Sequence, residues 1–231
     1  MSTVVHITGT SSGLGKGLAE FYSAQENTLV HGYSRRPGPS LPNYTHHQVD
    51  LAEATSEESL SLSGECDREI LINNAGWIGP VNAIGNLDSM SISRVFEINV
   101  SAVARWTNAF VRNSQAAEKV VISISSGAAK SVIPSWSAYC ASKAAVDQMT
   151  EVWNADVPDV HFLSIAPGVV DTEMQADIRS TADEAFPVKD RFVQMHESGE
   201  LKSPAEVAKI IGMFGMRPDK APSNVFSVRD L

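Results

Sequence analysis

The sequence predicts an α/β fold, a single doubly wound parallel sheet of about seven strands with helices on both faces. Three observations carry that expectation. Short β-rich runs alternate with longer helical patterns along the chain. The first such run turns through glycines straight into a helical pattern. Several other polar, glycine-bearing stretches also fall just after strand-like segments, where open parallel sheets bind their ligands.

Taken in order, Val4–Thr8 is a β-branched strand, and Lys16-Gly17-Leu18-Ala19-Glu20 opens a helix over Gly15–Gln25. Strands follow at Thr28–Tyr33 and His46–Val49, then a helix at Glu53–Leu62 and a strand at Glu69–Asn73. Helix Ser91–Asn113 leads into strand Lys119–Ile124, and helix Tyr139–Asn154 into strand Val160–Ile165. Helix Ser203–Met213 precedes a last strand near Asn224–Val228. Alternation of this kind implies right-handed crossovers. The segment Asp171–Glu200 is long, polar and broken by Pro187, with a short helix expected around Glu173–Ile178. It reads equally as a lid over a site or as a surface excursion.

The 231 residues fit one domain spanning 1–231. Apolar residues at 43% and charged residues at 19% are ordinary for a globular chain. A formal charge of −9 argues against nucleic acid or an anionic membrane surface as the main partner. Any phosphate ligand must then be held by local positive charge. Two cysteines, Cys66 and Cys140, make no disulfide framework. With no leader-like segment and no apolar run of spanning length, a reducing cytoplasm is the simplest compartment.

The run Thr8-Gly9-Thr10-Ser11-Ser12-Gly13-Leu14-Gly15 between strand and helix is an anion site in outline. Backbone N–H groups and the helix dipole face the ligand, and absent β-carbons let it approach. A triphosphate loop is excluded by spacing: Thr10 stands where its first glycine belongs, and Gly17 where its Ser or Thr would bind magnesium. In Tyr139-Cys140-Ala141-Ser142-Lys143, positions i and i+4 share a helix face. A cation there favours phenolate, lowers the tyrosine pKa and makes Tyr139 a proton donor to a carbonyl being reduced. Upstream, Val120–Ile124 ends in Ser125-Ser126-Gly127, Asn73-Asn74-Ala75-Gly76 ends another strand, and Asn99 sits in Phe96-Glu97-Ile98-Asn99-Val100. Downstream, Pro167-Gly168-Val169-Val170-Asp171-Thr172 follows the sixth strand.

The ordered set TGxxxGxG, NNAG, the INV asparagine, ISS, YxxSK and PGxxxT resembles the short-chain dehydrogenase/reductase family over nearly the whole chain. The resemblance implies a Rossmann-type fold and a catalytic tetrad of Asn99, Ser126, Tyr139 and Lys143. Ser126 is preferred to Ser125 because the family's serine lies thirteen residues before the tyrosine. It implies a nicotinamide dinucleotide held by Gly9, Ser11, Ser12, Gly13, Leu14 and Gly15, by Asn74, Ala75 and Gly76, and by Pro167, Gly168, Val170 and Thr172. Tyr139 and Lys143 would also touch it, Thr172 would meet the carboxamide, and Asp50 and Leu51 would edge the adenine. Asn99 would hold a water that relays protons to Lys143. Homodimers or homotetramers through the two long helices are also implied, with Trp106, Phe110 and Trp153 either interface or core.

The second strand ends Gly32-Tyr33-Ser34-Arg35-Arg36, with no carboxylate for a ribose 2′-hydroxyl. Ser12, Ser34, Arg35 and Arg36 instead suit a 2′-phosphate, so NADP(H) is the expected cofactor. The stretch Pro167–Ala176, with Asp190-Arg191-Phe192, Glu197–Leu201 and Ser203-Pro204, is similar to the sepiapterin reductase and bacterial benzil reductase branch. That likeness implies a ketone or vicinal dicarbonyl substrate, with Trp77, Trp136 and Met174 as an aromatic-binding wall. The chain ends at Arg229-Asp230-Leu231, so substrate contacts from a longer tail are in doubt. The six histidines have no metal-ligand spacing. An alcohol dehydrogenase working in the oxidative direction and a non-catalytic NADP(H)-binding sensor are the competing classes. Tyr139 and Lys143 weigh against the sensor.

Overall fold

In the computed structural model, which describes residues 1–62, 64 and 66–231, the strands are β1 (Thr3–Thr8), β2 (Thr28–Ser34), β3 (Tyr44–Gln48), β4 (Arg68–Asn73), β5 (Glu118–Ile124), β6 (Val160–Ala166) and β7 (Val225–Ser227). They form one sheet in the order β3-β2-β1-β4-β5-β6-β7, and every neighbouring pair is parallel. The winding reverses between β1 and β4, so the chains leaving their carboxyl ends diverge and leave a crevice there.

Helices bury both faces. Val5 and Ile7, Ile70 and Ile72, Val120 and Ile122 point to one side, against Leu14, Leu18 and Tyr22 of α1 (Gly13–Ser23) and Val207 and Ile211 of α7 (Pro204–Met216). A capping box between Ser203 and Glu206, with Pro204 in the first turn, fixes where α7 starts. On the other side Leu71, Val121 and Phe162 lie under Trp106 and Phe110. These two aromatics are fully buried, so they are core rather than surface. Trp153 is partly buried and packs on Phe162 at 5.8 Å between ring centres.

Two expectations need correcting. The helix placed at 53–62 is only a short 3-10 turn at Ser56–Ser59. Its backbone is held by tertiary contacts instead: Arg105 donates to the carbonyls of Leu51 and Glu53 and pairs with Glu57, and Trp106 Nε1 donates to Ser56 Oγ at 3.1 Å. The helix placed at 91–113 is in fact α2 (Ser89–Phe96) and α3 (Ala102–Asn113), joined by a π turn at Glu97–Ser101. Segment 171–200 carries the short helix that its pattern suggested, α5 (Glu173–Ser180), and a second, α6 (Lys189–Glu197). Ile178, Phe186 and Phe192 from this segment pack on Trp136 and Tyr139, apart from the sheet.

The sheet also buries a histidine network. His6 bridges Tyr33 Oη at 3.0 Å and Glu69 at 2.9 Å, and stacks on His31, whose Nδ1 lies 3.0 Å from His47 Nε2. Burial, helped by the neighbouring His6 and His47, pulls His31 down to about 4, and burial lowers His47 too. Between pH 6.5 and 4 the unfolded chain therefore takes up protons that the folded one refuses. Stability should be full above pH 6.5 and fall as pH drops towards 4. Urea midpoints measured across that range should show the fall, and His31→Phe should flatten it.

Among the described residues, no helix is long and apolar enough to cross a membrane, and no group of His, Cys, Asp or Glu could hold a metal ion.

Candidate active site

The crevice is a cleft of about 1010 Å³ at the carboxyl ends of the strands. Every cofactor and substrate residue expected from the sequence lines it, from the glycine loop after β1 to the group of Ser126, Tyr139 and Lys143. Asn99 is the exception. It lies behind the cleft wall and is fully buried.

At the first end, the chain leaves β1 through Gly9, whose φ of +76° suits glycine, and enters α1 with Ser12 as N-cap. The Ser12 side chain makes no cap hydrogen bond and no acid sits in the first turn, so the amides there keep their capacity for an anion. The loop is tied to the end of β4: Thr8 Oγ1 accepts from the amides of Asn74 and Ala75 at 3.0 Å each. Asn74 Nδ2 donates to the carbonyls of Thr8 at 2.9 Å and Gly9 at 3.3 Å. The Asn74 carboxamide thus braces the glycine loop. At Gly15 a β-carbon would lie 2.2 Å from the Gly9 carbonyl oxygen, so only glycine fits. The donor set, an uncapped helix start beside a loop that lacks β-carbons at Gly9, Gly13 and Gly15, fits a dinucleotide pyrophosphate.

Beyond β2, Ser34 Oγ donates to the Arg36 carbonyl at 2.8 Å, and Arg36 reaches back to Ser12 Oγ at 3.1 Å. A carboxylate is present here after all, supplied from far along the chain: Glu173 accepts from Arg36 at 2.8 Å and from Ser12 at 3.2 Å. The Arg36 hydrogen bond and charge hold its carboxyl below the usual range. Asp50 lies 3.8 Å from Arg94, a partner the motifs did not suggest.

At the other end, Tyr139 and Lys143 share one face of α4 (Ser137–Asp156), with Nζ 5.8 Å from the centre of the phenol ring. Ser126, at the end of β5, hydrogen-bonds the phenol and accepts from the Ala128 amide at 3.1 Å. Ser125 Oγ is buried without a hydrogen-bond partner among the described residues. The expected lowering of the tyrosine pKa is not found. Burial raises Tyr139 to about 12 against the pull of the Ser126 hydrogen bond. The cation is itself desolvated: burial lowers Lys143 to about 8, against the charge of Asp147, and Nζ donates to the Ile124 carbonyl at 2.8 Å rather than to the phenol.

Asn99 sits in the π turn, a helical irregularity that often marks functional positions. Its Oδ1 accepts from the Trp77 amide at 2.9 Å, and its Nδ2 donates to the Trp77 carbonyl at 2.9 Å and to Ser142 Oγ at 3.1 Å. Ser142 in turn donates to the Tyr139 carbonyl at 2.8 Å, so this serine of the YxxSK run joins Asn99 to the helix bearing the phenol. Its linking role was not legible from spacing. Phe192 was also missed: it lines the cleft with its ring 5.3 Å from Trp136, while Phe186 stacks on Trp136 at 5.2 Å from behind the lining.

A family model described as short chain dehydrogenase matches residues 3–183. The chain belongs to the short-chain dehydrogenase family. Benzil reductase ((S)-benzoin forming) of Bacillus subtilis is 37% identical over 216 residues, covering 87% of this chain and 88% of that one. Sepiapterin reductase of Rattus norvegicus is 35% identical over 225 residues, 84% of each chain. The crystal structure of the KRED1-Pglu enzyme superposes with a TM-score of 0.84 at 26% identity, covering 97% of this chain and all of that one. Members of this family bind NAD(P)(H), and the chain is an oxidoreductase acting on carbonyl or hydroxyl groups.

Proposed function

We propose that the protein is an NADPH-dependent carbonyl reductase acting on a ketone or vicinal dicarbonyl of the benzil or sepiapterin kind. The observation that carries the reading is the pairing, in one cleft, of Ser126 and the buried Tyr139 and Lys143 with Ser12 and Arg36 beside the glycine loop. The names of the relatives support the substrate class, as do Trp136 and Phe192, the aromatic pair in the cleft lining.

A bound reduced nicotinamide supplies the hydride. Tyr139 Oη gives its proton to the substrate oxygen, and with a pKa near 12 it stays protonated over the working pH range. Ser126 Oγ donates to the same oxygen as negative charge develops on it. Lys143, charged below about pH 8, favours the phenolate left behind and would hold the ribose of the cofactor. Asn99 positions the turn of α4 that carries Tyr139 and Lys143 through Ser142. Helices α5 and α6 form a lid over the substrate end, fixed to Trp136 by Ile178, Phe186 and Phe192. Both cysteines are free, which supports a reducing, cytoplasmic setting.

The test is steady-state reduction of benzil, phenylpropanedione and sepiapterin with each nicotinamide. The expected kcat/KM with NADPH exceeds that with NADH by about tenfold or more, the scale of one charge-assisted contact. Replacing both Arg35 and Arg36 with Ala should abolish the preference and leave kcat nearly unchanged. Equal kcat/KM for the two reduced nicotinamides would overturn the cofactor assignment. Absence of turnover with all three substrates would overturn the substrate class.

A further inference from the structure

We propose that Glu173 is a specificity-determining residue of the cofactor site, its carboxylate seated where a 2′-phosphate must bind, so that NADPH displaces it and NADH does not. The inference rests on the NADPH reading above and adds an opposing residue to it.

The geometry is a triangle. Arg36 Nη2 donates to Glu173 at 2.8 Å and to Ser12 Oγ at 3.1 Å, and Ser12 Oγ donates to the same carboxylate oxygen at 3.2 Å. One guanidinium and one hydroxyl meeting at one anionic oxygen is the recognition chemistry of a phosphate. Here that place is filled from within the chain. A carboxylate and a phosphate dianion cannot share the Arg36 nitrogen without like-charge repulsion in a protein whose net charge is already −9. One of them must leave.

Glu173 is built to be the one that leaves. Its side chain and that of Arg36 are 66% and 62% exposed, so the ion pair is solvent-screened and weakly held. The backbone next to it is more firmly placed: Thr172 is the N-cap of α5, and its methyl group lies against Gly13 at the start of α1. The Glu173 side chain can therefore swing into solvent while α5 stays docked. In the absence of a 2′-phosphate the carboxylate neutralises an arginine in the cleft. The residue thus narrows a preference that Arg36 creates.

Calorimetric titration with 2′,5′-ADP and with ADP tests this without any turnover. The unmodified protein should bind 2′,5′-ADP more tightly than ADP. Glu173→Gln should tighten 2′,5′-ADP about five-fold, the scale of one exposed charge contact, and leave ADP within about two-fold. Glu173→Ala should do the same, since the effect comes from the lost charge. The gain should shrink as salt is raised. If the unmodified protein binds the two ligands equally, the NADPH reading falls and the proposal falls with it. If it prefers 2′,5′-ADP and both variants leave that preference unchanged or weaken it, the NADPH reading stands and the role of Glu173 is overturned.

Discussion

Tyr139→Phe should lower kcat for carbonyl reduction by about 10³-fold while NADPH affinity stays within about two-fold, because the change deletes one proton donor and nothing else. The ring remains to fill its place among Trp136, Ile178 and Phe192. The lost hydroxyl leaves Ser126 Oγ with its Ala128 contact, so no buried group is orphaned. Thermal stability should accordingly change little. Stopped-flow turnover and fluorescence titration of NADPH on the same preparation separate the two effects. A variant that keeps more than about a tenth of the activity would remove Tyr139 from its role.

Gly15→Ala should be damaging although alanine is the better helix former. The helix propensity gain is at most about 1 kcal/mol. Against it, the new methyl would lie 2.2 Å from the Gly9 carbonyl oxygen and 2.4 Å from Asn74 Nδ2, and the first of these is backbone that cannot rotate away. Overpacking of this kind costs about 1–3 kcal/mol or more. Repulsion should win, with Tm lowered by several degrees. The shift would also pull the glycine loop off Asn74, so dinucleotide affinity should fall by about tenfold or more. Gly64→Ala is the control, because among the described residues nothing lies within 4 Å of its added carbon. Calorimetric scans of both variants, with and without NADPH, check the prediction. A Gly15→Ala protein that melts and binds like the parent would refute it.

Most of the frame was legible because parallel strands buried on both faces are written as apolar runs, as in Val120–Ile124. The cleft was legible because most of its motifs follow a strand, which fixes where their side chains converge. What escaped depends on partners distant in sequence. The segment 53–62 has acidic, helix-like spacing, but Arg105 and Trp106 dictate its path from α3. Glu173 reaches Arg36 across 137 positions, so no local pattern announces a carboxylate at that end of the cleft. The tyrosine pKa was misjudged for a related reason. Spacing shows that a cation is near, but not that both groups are desolvated together, and at Tyr139 desolvation outweighs the Ser126 hydrogen bond.

The π turn at Glu97–Ser101 has one more effect. A helix advances about 100° per residue, so one added residue in a turn rotates the half before it by that angle relative to the half after it. Val95 of α2 and the Trp106–Phe110 stripe of α3 are both buried, yet they belong to different angular phases of the same continuous coil. The irregularity therefore works as a phase shifter. It lets one rod present its later half to the sheet and its middle, through Asn99, to Trp77 and Ser142, two directions that an unbroken helix of this sequence could not face together.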